Sequence, residues 1–254
     1  MKSVNNTAKP LHYLRSLLGA DFVVLLRNTR AVAAAVAAPL YILLITKSEK
    51  TQGKLGGSHL LIVLAVTLGI LSLALMGYAV NTARDRERGV FQRLRVTPVP
   101  QWAIMGSRLL VQVLVGEVIA VIVLIVGSGM NNITLSAGEY ISTLFVVLLE
   151  SAMFLTIGQA LVGLVKSAST VVAVSGLLYA ALLLTGLLGN SGILGDTFQT
   201  FSKWTPVGTI MSVFQSVLHQ VAWDGHTTLS LLACFGYIAV CGFIGIRWFQ
   251  WEAR

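Results

Sequence analysis

The chain has 254 residues, of which 56% are hydrophobic and 11% charged, and its mean hydropathy is +0.81. A soluble domain carries about a quarter charged residues, so this composition excludes an ordinary globular enzyme and points to an integral membrane protein. The net charge of +8 is no argument for nucleic acid, because membrane proteins concentrate Lys and Arg in cytoplasmic loops.

Residues 1–10 form a polar lead ending in Lys9-Pro10. From there Leu11, Leu14, Leu18, Phe22 and Leu25 recur at helical spacing, with Arg15, Ser16 and Arg27 on other faces. This pattern predicts an amphipathic helix over 11–28 lying in the membrane interface. The first thirty residues lack the pattern of a signal peptide, so the first apolar run is expected to stay uncleaved.

Apolar segments follow at 29–46, 60–80, 104–128, 140–165, 169–188 and 227–249. A span needs roughly 20 residues, with a range of about 17–25. Five qualify easily, and the first reaches the minimum if Arg30 snorkels to the interface. With the N-terminus inside, 14 Lys and Arg fall in inner segments and 4, namely Lys47, Lys50, Lys54 and Lys203, fall in outer ones. That asymmetry predicts six spans with both termini cytoplasmic.

The last outer segment is too long for a simple turn. Within it Thr205-Pro206 has helix-start chemistry, Thr as N-cap and Pro at the first helical position. Val207, Ile210, Met211, Phe214 and Leu218 make one apolar stripe. A helix over 206–220 is too short to span and suits a re-entrant or interfacial position. The expected architecture is an all-α integral membrane protein, 1–254 forming one domain, with no internal repeat.

The largest concentration of charge lies between the second and third spans. Residues 82–95 carry five arginines and two acids. Val90, Phe91 and Leu94 share one helical face, and Arg88, Gln92 and Arg95 the other. Pro98 disfavours helical geometry at Thr97 and ends the element. A helix over 84–97 lying along the membrane surface fits this pattern. Taken on charge alone, the loop anchors topology and binds anionic lipid heads.

The order of residue types adds something. Glu87, Gly89, Leu94, Thr97, Pro98 and Val99 stand at the spacing of the pattern ERExGTxExLxxTPV, and the chain resembles ABC-2 type transporter permeases over essentially its whole length. Val90 stands where that family often has Thr, and Gln92 where it often has Glu. The resemblance implies a half-transporter of the plasma (inner) membrane: two copies form the pathway, and two separate ATP-binding subunits dock below. ATP and Mg would then be bound by the partner, with no cofactor in this chain. The loop would be the coupling helix, with Asp85, Arg86, Glu87 and Arg88 making polar contacts around Gly89, and Phe91 and Leu94 supplying an apolar knob ahead of Thr97 and Pro98. By position in the family, spans two and five, around Thr67, Tyr78, Tyr179 and Thr185, would line the cavity between protomers. Read independently, the residues contain no Gly-rich loop ending in Gly-Lys-Ser or Gly-Lys-Thr, so this chain is not expected to bind ATP or to be an enzyme.

Two acids lie in the spans, Glu117 in the third and Glu150 in the fourth. An acid at the centre of a span costs about 2.5–3.5 kcal/mol on the insertion scale, so both must face protein or water rather than lipid. Either they stand on a substrate path, or they are protonated acids hydrogen-bonded between helices, to Gln112, Gln159 or a hydroxyl. Small residues at Ala31, Ala34, Ala35 and Ala38, and at Ala239, Cys241, Gly242 and Gly245, allow close helix packing. Cys234 and Cys241, seven apart on one helix, are separated by about 10.5 Å of rise and lie beyond disulfide reach. The four histidines form no metal set.

Three functions remain open on these grounds. The first is the permease of an ATP-driven exporter, as in drug efflux, moving a hydrophobic or amphipathic compound such as an antibiotic, drug, lipid or peptide. The second keeps the fold but exports polysaccharide or teichoic acid. The third, of another class, is an ion-coupled secondary transporter using Glu117.

Overall fold

The computed structural model describes residues 17–23, 29–47, 57–95, 100–189 and 194–249, and the regular structure among them is helical. Residues 17–23 are helical, and the rest of the expected interfacial helix lies outside the described residues. Next come α1 (Thr29–Ile45) and α2 (Ser58–Ser72), which runs through a π-helical stretch, Leu73–Ala79, into α3 (Val80–Glu87). They are followed by α4 (Val90–Arg95), α5 (Gln101–Asn131), α6 (Ala137–Leu164), α7 (Ala168–Leu188), α8 (Asp196–Lys203), α9 (Pro206–Val217) and α10 (Gly225–Arg247).

Among the described residues, five helices are long and apolar enough to cross a membrane: Ser58–Glu87, Ala103–Asn131, Ala137–Leu164, Ala168–Leu188 and Gly225–Arg247. The chain is an all-α, multi-pass membrane protein. The expected first span is also helical, but α1 has 17 residues with Pro39 inside it.

The continuous helix Ser58–Glu87 is the centre of the bundle. Every residue from Leu60 to Leu75 is buried, as expected of a helix apolar on all sides. The helices α1, α5, α6, α7 and α9 pack around it. Of these, α1, α5, α6 and α7 keep one apolar face uncovered, as at Leu114, Val118 and Ile125 of α5. Such a face suits lipid, where the backbone must satisfy its own hydrogen bonds.

The π-helical stretch lies against α6. A Cβ on Gly158 would come within 2.9 Å of the Ala74 carbonyl oxygen, so only glycine permits this approach. The Tyr78 hydroxyl donates to Gln159 Oε1, and Gln159 Nε2 donates to the Gly245 carbonyl at 3.4 Å. Gly245 packs on Gln159 and Ala160, and Gly242 faces Thr156. These two small residues of the last span therefore serve packing within the chain.

The single helix expected over 84–97 does not form. Residues 84–87 continue the second span's helix, which ends where Gly89 takes φ 68°, and the separate α4 covers only Val90–Arg95. Nothing in Asn81-Thr82-Ala83-Arg84 halts a helix at the membrane boundary, and arginine is a good helix former. A left-handed residue just past the last turn is a standard helix stop. Thr97 and Pro98 lie outside the described residues.

At the opposite end, Thr205 caps α9 as expected, its side chain accepting from the Gly208 N–H at 3.2 Å. The helix stops at Val217, short of the expected 220, because His219 adopts φ 55°. The predicted stripe of Val207, Ile210, Met211, Phe214 and Leu218 is fully buried. It packs on α2, α6, α7 and α10 and so lies inside the bundle. The helix α8 was not expected; its eight residues are mostly polar. Asp224 caps α10, accepting from the Thr227 N–H at 2.7 Å and the Thr227 hydroxyl at 2.9 Å.

Two outcomes are expected. Gly158→Val should destabilise the bundle by about 1–3 kcal/mol or more, as overpacking does, seen as a lower thermal midpoint in detergent. The cap on α10 should be sensitive to acid. The hydrogen bond from the Thr227 N–H holds Asp224 below the usual carboxylate range. A depressed acid contributes stability that is in place above its unfolded value of about 4 and is lost as pH falls through the folded value. Asp224→Asn should flatten the fall in thermal midpoint below about pH 4; an unchanged profile would remove the cap from the account.

Candidate functional site

The arginine-rich segment is tied to the bundle on every side by side chains of its own. Arg86 is 2% exposed. Its Nη1 donates to the Val162 carbonyl at 2.7 Å, and its Nη2 donates to the Val165 and Lys166 carbonyls, each at 2.6 Å. These oxygens close α6, where the last carbonyls of a helix lack intrahelical partners and the helix dipole favours a cation. Glu87 turns the other way. Its Oε1 accepts from the Ala168 N–H at 2.6 Å, the first residue of α7, whose N-cap Ser167 makes no side-chain cap bond. Two adjacent residues thus close the end of one helix and the start of the next.

Asp85 and Arg108 form a second cluster. Arg108 Nη1 lies 2.8 Å from Asp85 Oδ2, and its Nε lies 3.8 Å from Asp21 Oδ1. The Ser107 hydroxyl donates to Asp21 Oδ2 at 2.5 Å. Burial raises the Asp21 carboxyl above the usual range, and the Ser107 hydroxyl and the Arg108 charge oppose it. The Arg108 guanidinium also sits over the Phe91 ring, 4.8 Å from its centroid. Phe91 meets Phe249 edge to face, with centroids 5.5 Å apart. This cluster binds the loop to residues 17–23, to the start of α5 and to the segment after α10.

Magnitudes rank these contacts. A partly exposed ion pair is worth about 0–1 kcal/mol and an exposed cation–π contact about 0.5–1 kcal/mol. Burying a phenylalanine counts for more, since Phe→Ala in a core costs about 3–5 kcal/mol. Phe91 is 0% exposed, so it is the anchor of the loop and not a protruding knob. The outward surface is polar: Arg84, Glu87, Arg88, Gln92 and Arg93 are exposed, while Gly89 and Leu94 are half-buried. Gly89 is the residue that the break between α3 and α4 requires. Its φ of 68° is left-handed backbone, which costs a residue with a Cβ roughly 1–2 kcal/mol.

Reading the sequence missed Asp21, Ser107, Phe249 and the turn between α6 and α7 as parts of this site, and treated Arg108 only as a topology charge. One signal was available. An arginine inside an apolar run needs a partner, but only folding brings Asp21 and Asp85 to it.

The intramembrane candidates scatter. Glu150 is 0% exposed, and the Thr67 hydroxyl is the polar group beside it. Glu117, half-buried, has one unbonded oxygen. Neither Gln112 Oε1 nor Gln159, which bonds Tyr78 and Gly245, partners these acids. Thr67 and Tyr78 lie wholly inside the protomer, whereas Tyr179 and Thr185 are half-buried. Of the four, Thr185 alone lines a described cavity. That cavity of about 400 Å³ lies at the end of the bundle away from the arginines, between Gln199, Lys203, Ser212, Gln215 and His226.

Phe91→Ala should cost about 3–5 kcal/mol, whereas Arg108→Gln should cost about 1 kcal/mol or less. Thermal unfolding of the two variants in detergent checks the order, and the reverse order would move the anchor to the ion pairs.

Comparison with known proteins agrees with the fold. Residues 6–247 match the family described as "ABC-2 family transporter protein". Over 150 residues the chain is 23% identical to the protein named "Putative transport permease YvfS" of Bacillus subtilis (strain 168), covering 59% of this chain and 60% of that relative's length. A match over nearly all of a multi-pass helical chain decides the assignment: the chain belongs to the ABC-2 transporter family and is a membrane permease of that family.

Proposed function

We propose that this chain is the transmembrane subunit of an ATP-driven exporter for a hydrophobic or amphipathic compound. It works as a pair of copies powered by two separate ATP-binding subunits, which bind ATP and Mg. In this reading α1 is the first of six spans, 1–254 is one transmembrane domain, and both termini lie in the cytoplasm, where the arginine-rich end meets the ATPase. Lipid covers the apolar outer faces.

The observation that carries this reading is the construction of residues 84–95. The segment is held by residues 17–23, α5, the α6–α7 turn and Phe249, and it presents Arg84, Arg88, Gln92 and Arg93 outward. A segment that served only to hold topology has no need of a rigid seat, whereas a segment that receives force does. In this reading Asp85, Arg86, Glu87 and Phe91 support the segment against the bundle, Arg88 and Leu94 stand nearer the partner, and Thr97 and Pro98 belong to the contact set by the resemblance alone. The apolar cargo is supported by the spans, whose lipid-facing and inner surfaces are nearly free of charge.

The test is co-purification with an ATP-binding subunit, followed by the charge reversal Arg88→Glu with Arg93→Glu. Both side chains are exposed, so folding should be unaffected while association of the ATPase weakens by about tenfold or more, the scale of losing a few charge contacts at an interface. Unchanged association would sink the assignment of this surface. Transport that persists without ATP and is abolished by Glu117→Gln would replace the reading with ion-coupled transport.

A further inference from the structure

We propose that Arg86 and Glu87 are positioning residues that transmit movement of the arginine-rich loop to α6 and α7. The idea rests on the proposed docking of an ATPase at that loop and adds the route by which the docking reaches the membrane. Three features of the geometry carry it.

The first is the division of labour between two neighbours. Arg86 holds three carbonyls of the α6 terminus, at Val162, Val165 and Lys166, and Glu87 holds the first N–H of α7 at Ala168. A cation on a helix C-terminus and an anion on a helix N-terminus are each favourable with the dipole. The turn between the helices is therefore gripped from both sides by one turn of α3. Displacing α3 pulls on both helix ends together, because Arg86 and Glu87 are the side chains described on them.

The second is that the Arg86 half of the grip is buried and costly to release. Arg86 is 2% exposed, and withdrawing its guanidinium would leave carbonyls and charge without partners, which costs more than the net worth of the bonds. The contact is expected to travel rather than break. The third is a break in the α-helical geometry further along the same helix. The π-helical stretch Leu73–Ala79 separates α3 from α2, and π-helical turns inside α-helices are rare and frequent at functional sites. It packs against α6 at Gly158 and Gln159, so the helix that ends in α3 meets α6 at a second place along its length.

The experiment uses the full permease–ATPase complex and needs no identified cargo. Cys234 and Cys241, the two cysteines of the chain, are replaced by Ala, and a thiol reporter is introduced as Ser169→Cys, an exposed position in the first turn of α7. The rate of maleimide labelling is measured with and without ATP plus vanadate. In the reference complex the rate should change by at least about fivefold, the low end of coupling between distant sites. Glu87→Ala should abolish the change, read in the assembled complex and normalised to the ATP hydrolysis of that same complex. Glu87→Gln, which keeps an oxygen to accept the Ala168 N–H, should restore it. A role confined to stability would lower yield and thermal midpoint without this pattern.

An equal nucleotide-dependent change in Glu87→Ala and the reference overturns the transmission role alone. So does a reference complex that shows no change. A reference chain that recruits no ATP-binding subunit defeats the proposed function itself, and is told apart by the co-purification made before any labelling.

Discussion

The turn between α6 and α7 is the point on which the arginine-rich end depends. Two long helices meet there within Val165-Lys166-Ser167, and the side chains described on their ends, Arg86 and Glu87, come from another helix. Free carbonyls and a free N–H close to the bilayer boundary are expensive. Arg86 and Glu87 supply the missing partners from another helix, so the second span has to extend beyond the membrane to deliver them. That extension explains why α3 continues the span without a break, and why the loop proper begins only at Gly89.

From that constraint the rest of the end follows. Once α3 is committed to the α6–α7 turn, α4 leaves Gly89 at a fixed angle and drops Phe91 under Arg108. Arg108 in turn collects Asp85 and Asp21, and the hydroxyl of Ser107 completes the acid's environment. The segment is thereby a rigid seat whose inner side is aromatic and ionic and whose outer side is basic. Under the proposed function, such a seat is where force from a soluble partner would enter helices that themselves have almost no polar surface.

The membrane interior is organised by different physics. There α2 is surrounded by apolar neighbours, and specificity comes from close approach at Gly158 and from a few polar bridges such as Tyr78 to Gln159. Glu150 and Thr67 sit together at the heart of this packing. An acid so placed is enclosed by its own chain, so its surroundings differ from those of a residue lining an open path.

The one-dimensional pattern was enough for the helical membrane class, for the apolar segments and their approximate limits, for the Thr205-Pro206 helix start and for the place of the charged loop. Each depends on local composition or on contacts between near neighbours along the chain. Burial and partnership were decided only by the tertiary structure. Phe91 and Leu94 looked equivalent on one helical face, yet Phe91 is enclosed because Phe249 and Arg108 converge on it from segments far away in the sequence. Arg86 reads like any other loop arginine, and only the proximity of residues 162–166 makes it a helix cap. The expected helix over 84–97 failed for the same reason: periodicity recorded which residues share a face, but the needs of the α6–α7 turn determined where that face could point.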